Sequence, residues 1–263
     1  MTWIEAFLLG ILQGITEFLP ISSSGHLAIG KALFGVETFG ASFEIVVHAA
    51  TALSIITVFR KEIKQLVFAC FKFSYNEETR YILMLMLSMI PVLVVGLFFK
   101  PQVEALFGSG LALVGVMLLI TAILLMVAQA NPSKGAPLKY RDAFIIGISQ
   151  AVAILPGLSR SGATISTGLL LGKDRATVAK FSFLMVLVPI LGEAFLDLMK
   201  GGFAPQASGI PVWSLLIGFL AAYLSGLAAC SWMVALVKRA KLWGFAVYCI
   251  VAGLFCLLYH FLT

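Results

Sequence analysis

Gln13 and Glu17 stand four residues apart and are followed by Ser22, Ser23, Ser24, Gly25 and His26. If the first two lie on a helix they share one face, so an amide, a carboxylate, three hydroxyls and an imidazole converge within a short stretch of an otherwise hydrophobic chain. A second polar cluster, Ser159, Arg160, Ser161, Gly162 and Thr164, follows much later. Its guanidinium offers a planar fork of donors to phosphate oxygens. The backbone N–H groups opening a helix at either cluster would favour the same anionic ligand. Glu17 with Gln13 suits a hard divalent cation that keeps several waters. Phosphate, cation and imidazole together suggest phosphoryl transfer. Each residue also has a plainer use: Glu17 paired with Arg160 would hold two segments together, His26 would serve as a satisfied core histidine, and serines cap helices well.

The two clusters are copies of one pattern. Ala6, Phe7, Gly10, Ile11 and Gln13 match Ala143, Phe144, Gly147, Ile148 and Gln150 at a constant offset of 137, and Ser22, Ser24 and Gly25 recover that offset against Ser159, Ser161 and Gly162. Chance produces such matches among Leu and Ala, but not readily for Gln and Ser-x-Ser-Gly. The expectation is a single membrane domain, 1–263, duplicated as about 1–130 and about 138–263.

The elements that carry these clusters are membrane segments. The chain is 61% hydrophobic and 11% charged, against a charged share of about a quarter in soluble domains. Apolar runs of the length needed to cross a bilayer cover 43–59, 81–99, 110–129, 181–199, 212–235 and 244–262, which predicts six full spans. Residues 4–19 and 143–155 are too short to cross. Each stops at Leu-Pro and a Ser/Gly cluster before a second short apolar piece, 27–35 or 163–172. Proline ends a helix and Gly and Ser permit a reversal, so these read as re-entrant hairpins, which the membrane tolerates when protein or a wet cavity surrounds the turn. No removed leader is expected, since Glu5 stands where a basic leader would be and no small-residue cleavage site follows. Cys70, Cys230, Cys249 and Cys256 lack metal-ligand or disulfide-framework spacing.

The formal charge of +6 does not indicate nucleic acid, because the basic residues lie in small clusters between apolar runs, as topology signals do. With both hairpins returning to their side of entry, one side holds Arg60, Lys61, Lys64, Lys72, Arg80, Lys134, Lys139, Arg141, Lys173, Arg175, Lys180, Lys238, Arg239 and Lys241, and the other only Lys31, Lys100 and Lys200. The basic side is cytoplasmic by the positive-inside rule. Each half then has one hairpin and three crossings, an odd number, so the halves are inverted. Inverted repeats place their sites near the midplane, where broken-helix ends meet. The fold expected is an all-α integral membrane protein with an inverted-topology repeat, six full transmembrane helices and two re-entrant helical hairpins whose turns touch.

Gln13-x-x-x-Glu17, Ser22-Ser-Ser-Gly-His26 and Pro156-Gly-Leu-Ser159-Arg160-Ser161-Gly-Ala-Thr164 resemble the undecaprenyl-diphosphate phosphatase family of the bacitracin-resistance type, and the likeness extends through Phe43-Glu44, Tyr140-Arg141 and Phe181-Ser-Phe. The resemblance implies hydrolysis of undecaprenyl diphosphate to the monophosphate and inorganic phosphate, recycling the lipid carrier for cell-wall polymers. It also implies a divalent cation, Mg2+ or Ca2+, and a bacterial inner-membrane location with the active site on the outer side. By the same resemblance Glu17 is the essential acidic residue and Gln13 stands where the family has Glu or Gln, so that the pair would hold the metal. Ser23 and His26 match the catalytic hydroxyl and imidazole, and Arg160 with Ser159, Ser161, Gly162 and Thr164 matches the phosphate-binding motif. Ser22, Ser24 and Gly25 belong with the substrate-binding turn. Ser23 is the preferred nucleophile, with His26 as its base; water or His26 itself as nucleophile stays open, as do the metal and a homodimer.

A polyprenyl-phosphate transporter or flippase is the alternative, since it would use the same inverted repeat, Arg160 and an acidic ion site; Ser23 and His26 beside the anion favour an enzyme. The acid-phosphatase-like lipid phosphatases need a further His after Ser-Arg, and only His260, at the far end, follows Arg160. Glu44 with His48, and Glu193 with Asp197, are i, i+4 polar pairs within spans. The first pair reads as second-rank cavity partners or as helix-to-helix hydrogen bonding, the second as interfacial. Trp213, Trp243 and Tyr140 belong to aromatic belts.

Overall fold

A computed structural model of the chain describes residues 1–36, 42–72, 74–108, 110–131, 135–199, 209–237 and 241–262. The described residues are helical apart from turns and one isolated bridge between Ala136 and Lys173. The first hairpin is α1 (Trp3–Thr16) and α2 (Ser23–Phe34), followed by α3 (Ser42–Val58), α4 (Arg60–Cys70), α5 (Glu77–Phe98), α6 (Lys100–Phe107) and α7 (Gly110–Ala130). The second hairpin is α8 (Tyr140–Val152) and α9 (Arg160–Leu170), followed by α10 (Arg175–Met185), α11 (Leu187–Met199), α12 (Val212–Val237) and α13 (Trp243–Leu262).

Five helical stretches are long and apolar enough to cross a membrane: 77–98, 110–130, 175–199, 212–235 and 243–262. The sixth expected span, 43–59, is α3 joined to α4 at a bend of 83°. The bend has a cause in composition. Arg60, Lys61, Glu62 and Lys64 open α4, and charges on that turn would be costly in hydrocarbon, so the chain turns aside. Many large apolar side chains stay exposed, among them Leu93, Leu97, Trp213, Leu224, Val251 and Phe261. In water such a surface would be a liability; facing lipid it costs nothing. The protein is a multi-pass membrane protein.

The second helix of each hairpin starts earlier than the apolar pattern suggested, at Ser23 rather than 27 and at Arg160 rather than 163. The reason is capping. Ser22 Oγ accepts the Gly25 N–H at 3.2 Å and Ser159 Oγ accepts the Gly162 N–H at 3.0 Å, which supplies orphan donors of a first turn with a partner. Ser23, Ser24, Gly25 and His26, like Arg160, Ser161 and Gly162, are therefore first-turn helical residues whose side chains have fixed directions.

Each hairpin packs on a helix distant in sequence. α1 lies along α12 and α8 along α5, with small residues allowing backbone approach, as helices in lipid require. A Cβ on Gly10 would run into the Gly218 carbonyl oxygen of α12, and one on Gly147, at the matching position of the second hairpin, into the Ser88 carbonyl oxygen of α5. Direction follows from further contacts. Ser214, at the start of α12, donates to Met1 O at 3.5 Å, so α1 enters from the end of the bundle where α12 begins. Arg80 donates to Leu138 O at 3.1 Å, the Tyr75 and Tyr140 hydroxyls bond at 2.9 Å, and Lys173 pairs with Asp142 at 2.7 Å, so α8 enters from the end where α5 begins. Gln129 Oε1 accepts from both Arg175 and the Leu242 N–H, which places the close of α12 and the start of α13 at this second end. The two hairpins thus come in from opposite ends.

Gly147→Leu should cost about 1–3 kcal/mol through forced separation of α8 and α5, read as a fall in the thermal unfolding midpoint of detergent-solubilised protein. Gly96→Leu on the same α5, where an added Cβ meets nothing within 4 Å, should leave that midpoint nearly unchanged.

Candidate active site

The hairpin turns meet inside the bundle. A Cβ on Gly25 would lie 3.2 Å from Gly157 Cα, the Gly157 N–H points to Ser24 Oγ at 3.5 Å, and Ser161 Oγ donates to Leu19 O at 3.0 Å. Gly157 has φ 93°, a left-handed conformation that lets the second turn reverse tightly enough to reach the first. Ser22 has φ 70°, uncommon for a residue with a side chain, and its cap on Gly25 and its carbonyl contact to His26 hold it there. Thr121 of α7 receives the Ser159 N–H on its hydroxyl at 3.0 Å. Phe18 packs edge-on against Phe183 with ring centres 5.8 Å apart, inside the cluster that also contains Leu118 and Ile165.

Glu17 is the centre of the polar network and is 4% exposed. Its Oε1 pairs with Arg160 across the hairpins. Its Oε2 accepts from Gln13 Nε2 at 2.8 Å and from the Ser23 hydroxyl at 2.6 Å, and His48 Nε2 stands 3.6 Å from the same oxygen. The pairing of Glu17 with Arg160 that the sequence offered as a structural alternative is present, and it leaves part of Arg160 unspent. Nη2 engages Glu17, whereas Nη1 is buried with no hydrogen-bond partner. A buried guanidinium nitrogen lacking an acceptor, beside the opening turns of α2 and α9, is what an oxyanion would complete.

Ser23 and His26 are neighbours in sequence but have different partners. Ser23 donates to Glu17, while His26 Nδ1 faces Ser22 O at 2.7 Å and its Nε2 meets the Tyr248 hydroxyl at 2.8 Å. Because Ser22 O only accepts, Nδ1 carries the proton and Nε2 accepts from Tyr248. Tyr248 also stacks on the imidazole, ring centres 5.5 Å apart. Thr164 lies one turn along α9 from Arg160, its hydroxyl donating to Arg160 O at 2.8 Å and bonding Ser182 Oγ at 2.6 Å. The hydroxyls of Ser22 and Ser24 bond at 3.3 Å and those of Ser159 and Ser161 at 3.4 Å, at matching positions of the two hairpins.

Among the described residues no cluster of three or more His, Cys, Asp or Glu side chains is placed to hold a metal. The hard-oxygen donors are Glu17 and Gln13, and they fit a cation in one respect: Gln13 Oε1 is buried without a hydrogen-bond partner, an acceptor that a divalent ion would satisfy.

Residues 6–255 match the family described as bacitracin resistance protein BacA. The chain belongs to this family. It is 55% identical to the undecaprenyl-diphosphatase of Parabacteroides distasonis over 257 residues, 97% of each chain. It is 55% identical to that of Bacteroides fragilis, covering 96% of each, and 36% identical to that of Oceanobacillus iheyensis, covering 98% of this chain and 97% of the relative.

Around Glu17 and Arg160, sequence reasoning left His48 outside the catalytic set, reached Ser182 only within Phe181-Ser-Phe, and did not foresee Tyr248 or Thr121. His48 carried a signal, an ionisable residue in a span. Tyr248 had none, being one aromatic residue in an apolar helix. Glu44, grouped with His48 by spacing, instead pairs with Lys31 at 2.6 Å.

Removing Arg160 leaves Glu17 buried without its cation, a loss of about 3–5 kcal/mol. Arg160→Met should therefore lower the unfolding midpoint sharply, and Glu17→Gln with Arg160→Met should recover most of it, measured as a double-mutant cycle in one detergent.

Proposed function

We infer that this chain is an undecaprenyl-diphosphatase: it hydrolyses undecaprenyl diphosphate to undecaprenyl phosphate and inorganic phosphate, returns the carrier to cell-wall polymer synthesis, and so confers bacitracin resistance. The observation that carries the reading is the unpaired Nη1 of Arg160 between two capped Ser-Gly turns, joined to near full-length relatives named for that activity. Nothing on either side favours the carrier alternative.

Arg160 spans two tasks, holding Glu17 through Nη2 and a phosphate oxygen through Nη1, while the N–H groups opening α2 and α9 add further donors. Glu17 and Gln13 would hold a divalent cation, Mg2+ or Ca2+, which when bound supplies charge neutralisation at the diphosphate oxygens. Ser23 is the nucleophile. Its proton is directed at Glu17 rather than His26, so Glu17 takes it as Oγ bonds to the terminal phosphorus and the bridging P–O bond breaks, releasing undecaprenyl phosphate. Water then attacks the phosphoserine, His26 Nε2 accepting its proton in place of the Tyr248 hydroxyl proton; the phosphorus–Oγ bond breaks, Ser23 recovers a proton from Glu17, and His26 gives its proton to solvent as inorganic phosphate leaves.

The architecture this reading uses is an inverted repeat of about 1–130 and about 138–263 with two re-entrant hairpins. Support comes from the matched Gly10 and Gly147 contacts, each hairpin packing on a helix of the other half, and from entry at opposite ends. Residues Arg80, Lys139, Arg141, Lys173, Arg175 and Lys241 fall at or beside the end where α5 and α8 start, which we take as cytoplasmic. The family resemblance, not the charge distribution, is the ground on which we take the site to face the outer side of the bacterial inner membrane. An apolar groove of about 550 Å3, lined by Ile90, Val94, Val103, Ile148, Val152 and Leu155 among others, ends five residues before Arg160 in sequence and is our candidate for the place where the prenyl chain lies.

Phosphate release from undecaprenyl diphosphate by purified protein should need a divalent cation and stop with EDTA. Arg160→Lys and Glu17→Gln should each lower kcat by about 10²–10³, more than Ser24→Ala. Equal phosphate release by these variants and the unaltered chain would overturn the reading. Val152→Trp should fill the groove and raise KM for the C55 substrate by about tenfold while changing KM for farnesyl diphosphate much less.

A further inference from the structure

His48 lies on α3, outside both hairpins, yet its Nε2 stands 3.6 Å from Glu17 Oε2. The other ring nitrogen settles its chemistry. Nδ1 faces the Glu44 carbonyl oxygen at 2.7 Å, an atom that only accepts, so Nδ1 is the donor. In the neutral ring Nε2 presents a lone pair toward a carboxylate oxygen, so the contact is attractive either when the ring takes a second proton and forms an ion pair with Glu17 or when a metal cation stands between the two atoms. A ligating histidine is held in this way, with its far N–H on a backbone carbonyl that sets tautomer and ring direction. Spacing agrees. The separation is too long for a hydrogen bond, whereas two ligand atoms each about 2.1 Å from one ion lie roughly 3–3.6 Å apart. Gln13 Oε1, buried and without a partner, adds an oxygen donor from the same face of α1 as Glu17.

We propose that His48 is a ligand, through Nε2, of the divalent cation held by Glu17 and Gln13, giving this chain a mixed nitrogen–oxygen site that binds Mn2+ more tightly than Glu17 and Gln13 alone would. The gain follows from the donors: carboxylate and amide oxygens suit the hard alkaline-earth ions, and one imidazole tilts a site toward first-row transition metals. His26 does not compete for this role, because both its ring nitrogens are engaged, by Ser22 O and the Tyr248 hydroxyl. The inference rests on the phosphatase reading for the presence of a cation, but is tested apart from turnover.

The experiment is pulsed electron paramagnetic resonance of Mn2+ bound to the full chain in detergent, beside Mn2+ and Mg2+ titrations. A directly coordinated nitrogen should appear in the unaltered protein, persist in His26→Gln and vanish in His48→Gln. Removing an outer-shell partner of a metal costs about 10–100-fold in affinity. Losing a direct ligand should cost at least about tenfold for Mn2+, and less for Mg2+. Bound Mn2+ with no nitrogen coupling in the unaltered protein, coupling that survives His48→Gln, or no Mn2+ binding would each overturn the proposal. The unaltered protein decides the matter even if the variant misfolds. Undecaprenyl diphosphate hydrolysis assayed on the same samples separates the two readings: coupling without hydrolysis sinks the phosphatase reading alone, and hydrolysis without coupling sinks the His48 ligand alone.

Discussion

A single buried carboxylate organises this molecule. Ionised Glu17 at that depth needs a cation and a full set of donors, and no single segment supplies both. Gln13 and Ser23 come from its own hairpin, Arg160 from the other, and His48 approaches from α3. The charge therefore acts as a geometric condition: it is compensated only when two hairpins that enter from opposite ends of the bundle have met.

The same condition explains why the site remains reactive. A pair with all donors and acceptors matched would be an inert strut. Here Arg160 Nη1 and Gln13 Oε1 are left over, one donor and one acceptor, both buried. An oxyanion would complete the first and, in the function proposed above, a divalent cation the second. The helix caps contribute in parallel. Ser22 and Ser159 tie up one first-turn N–H each, and the serine pairs beside them are held by mutual hydrogen bonds, so the donors around the phosphate position are preorganised.

Small residues make the convergence physically attainable. In lipid the hydrophobic effect does not drive helices together, and association rests on close packing. Gly10 and Gly14 on α1, and Gly147 on α8, bring backbones within reach of α12 and α5, while Gly157 at the second turn admits the contact with Gly25. The apolar exterior of α5 and α13 is left to face lipid.

Much of this was legible in the chain itself. The repeated Gln and Ser-x-Ser-Gly pattern located both hairpins, the Leu-Pro steps located their turns, and the residue types around Glu17 and Arg160 named the chemistry, because helix breaking, capping and charge burial are local properties of short segments. The partners of each group were not local. That Ser23 donates to Glu17 and not to His26, that His26 is taken by Tyr248 more than two hundred residues away, that His48 turns toward Glu17 while Glu44 turns to Lys31, and that α3 bends sharply into α4 all depend on how distant helices pack. Spacing places a side chain on a face of its helix; only the packed bundle determines what stands opposite that face.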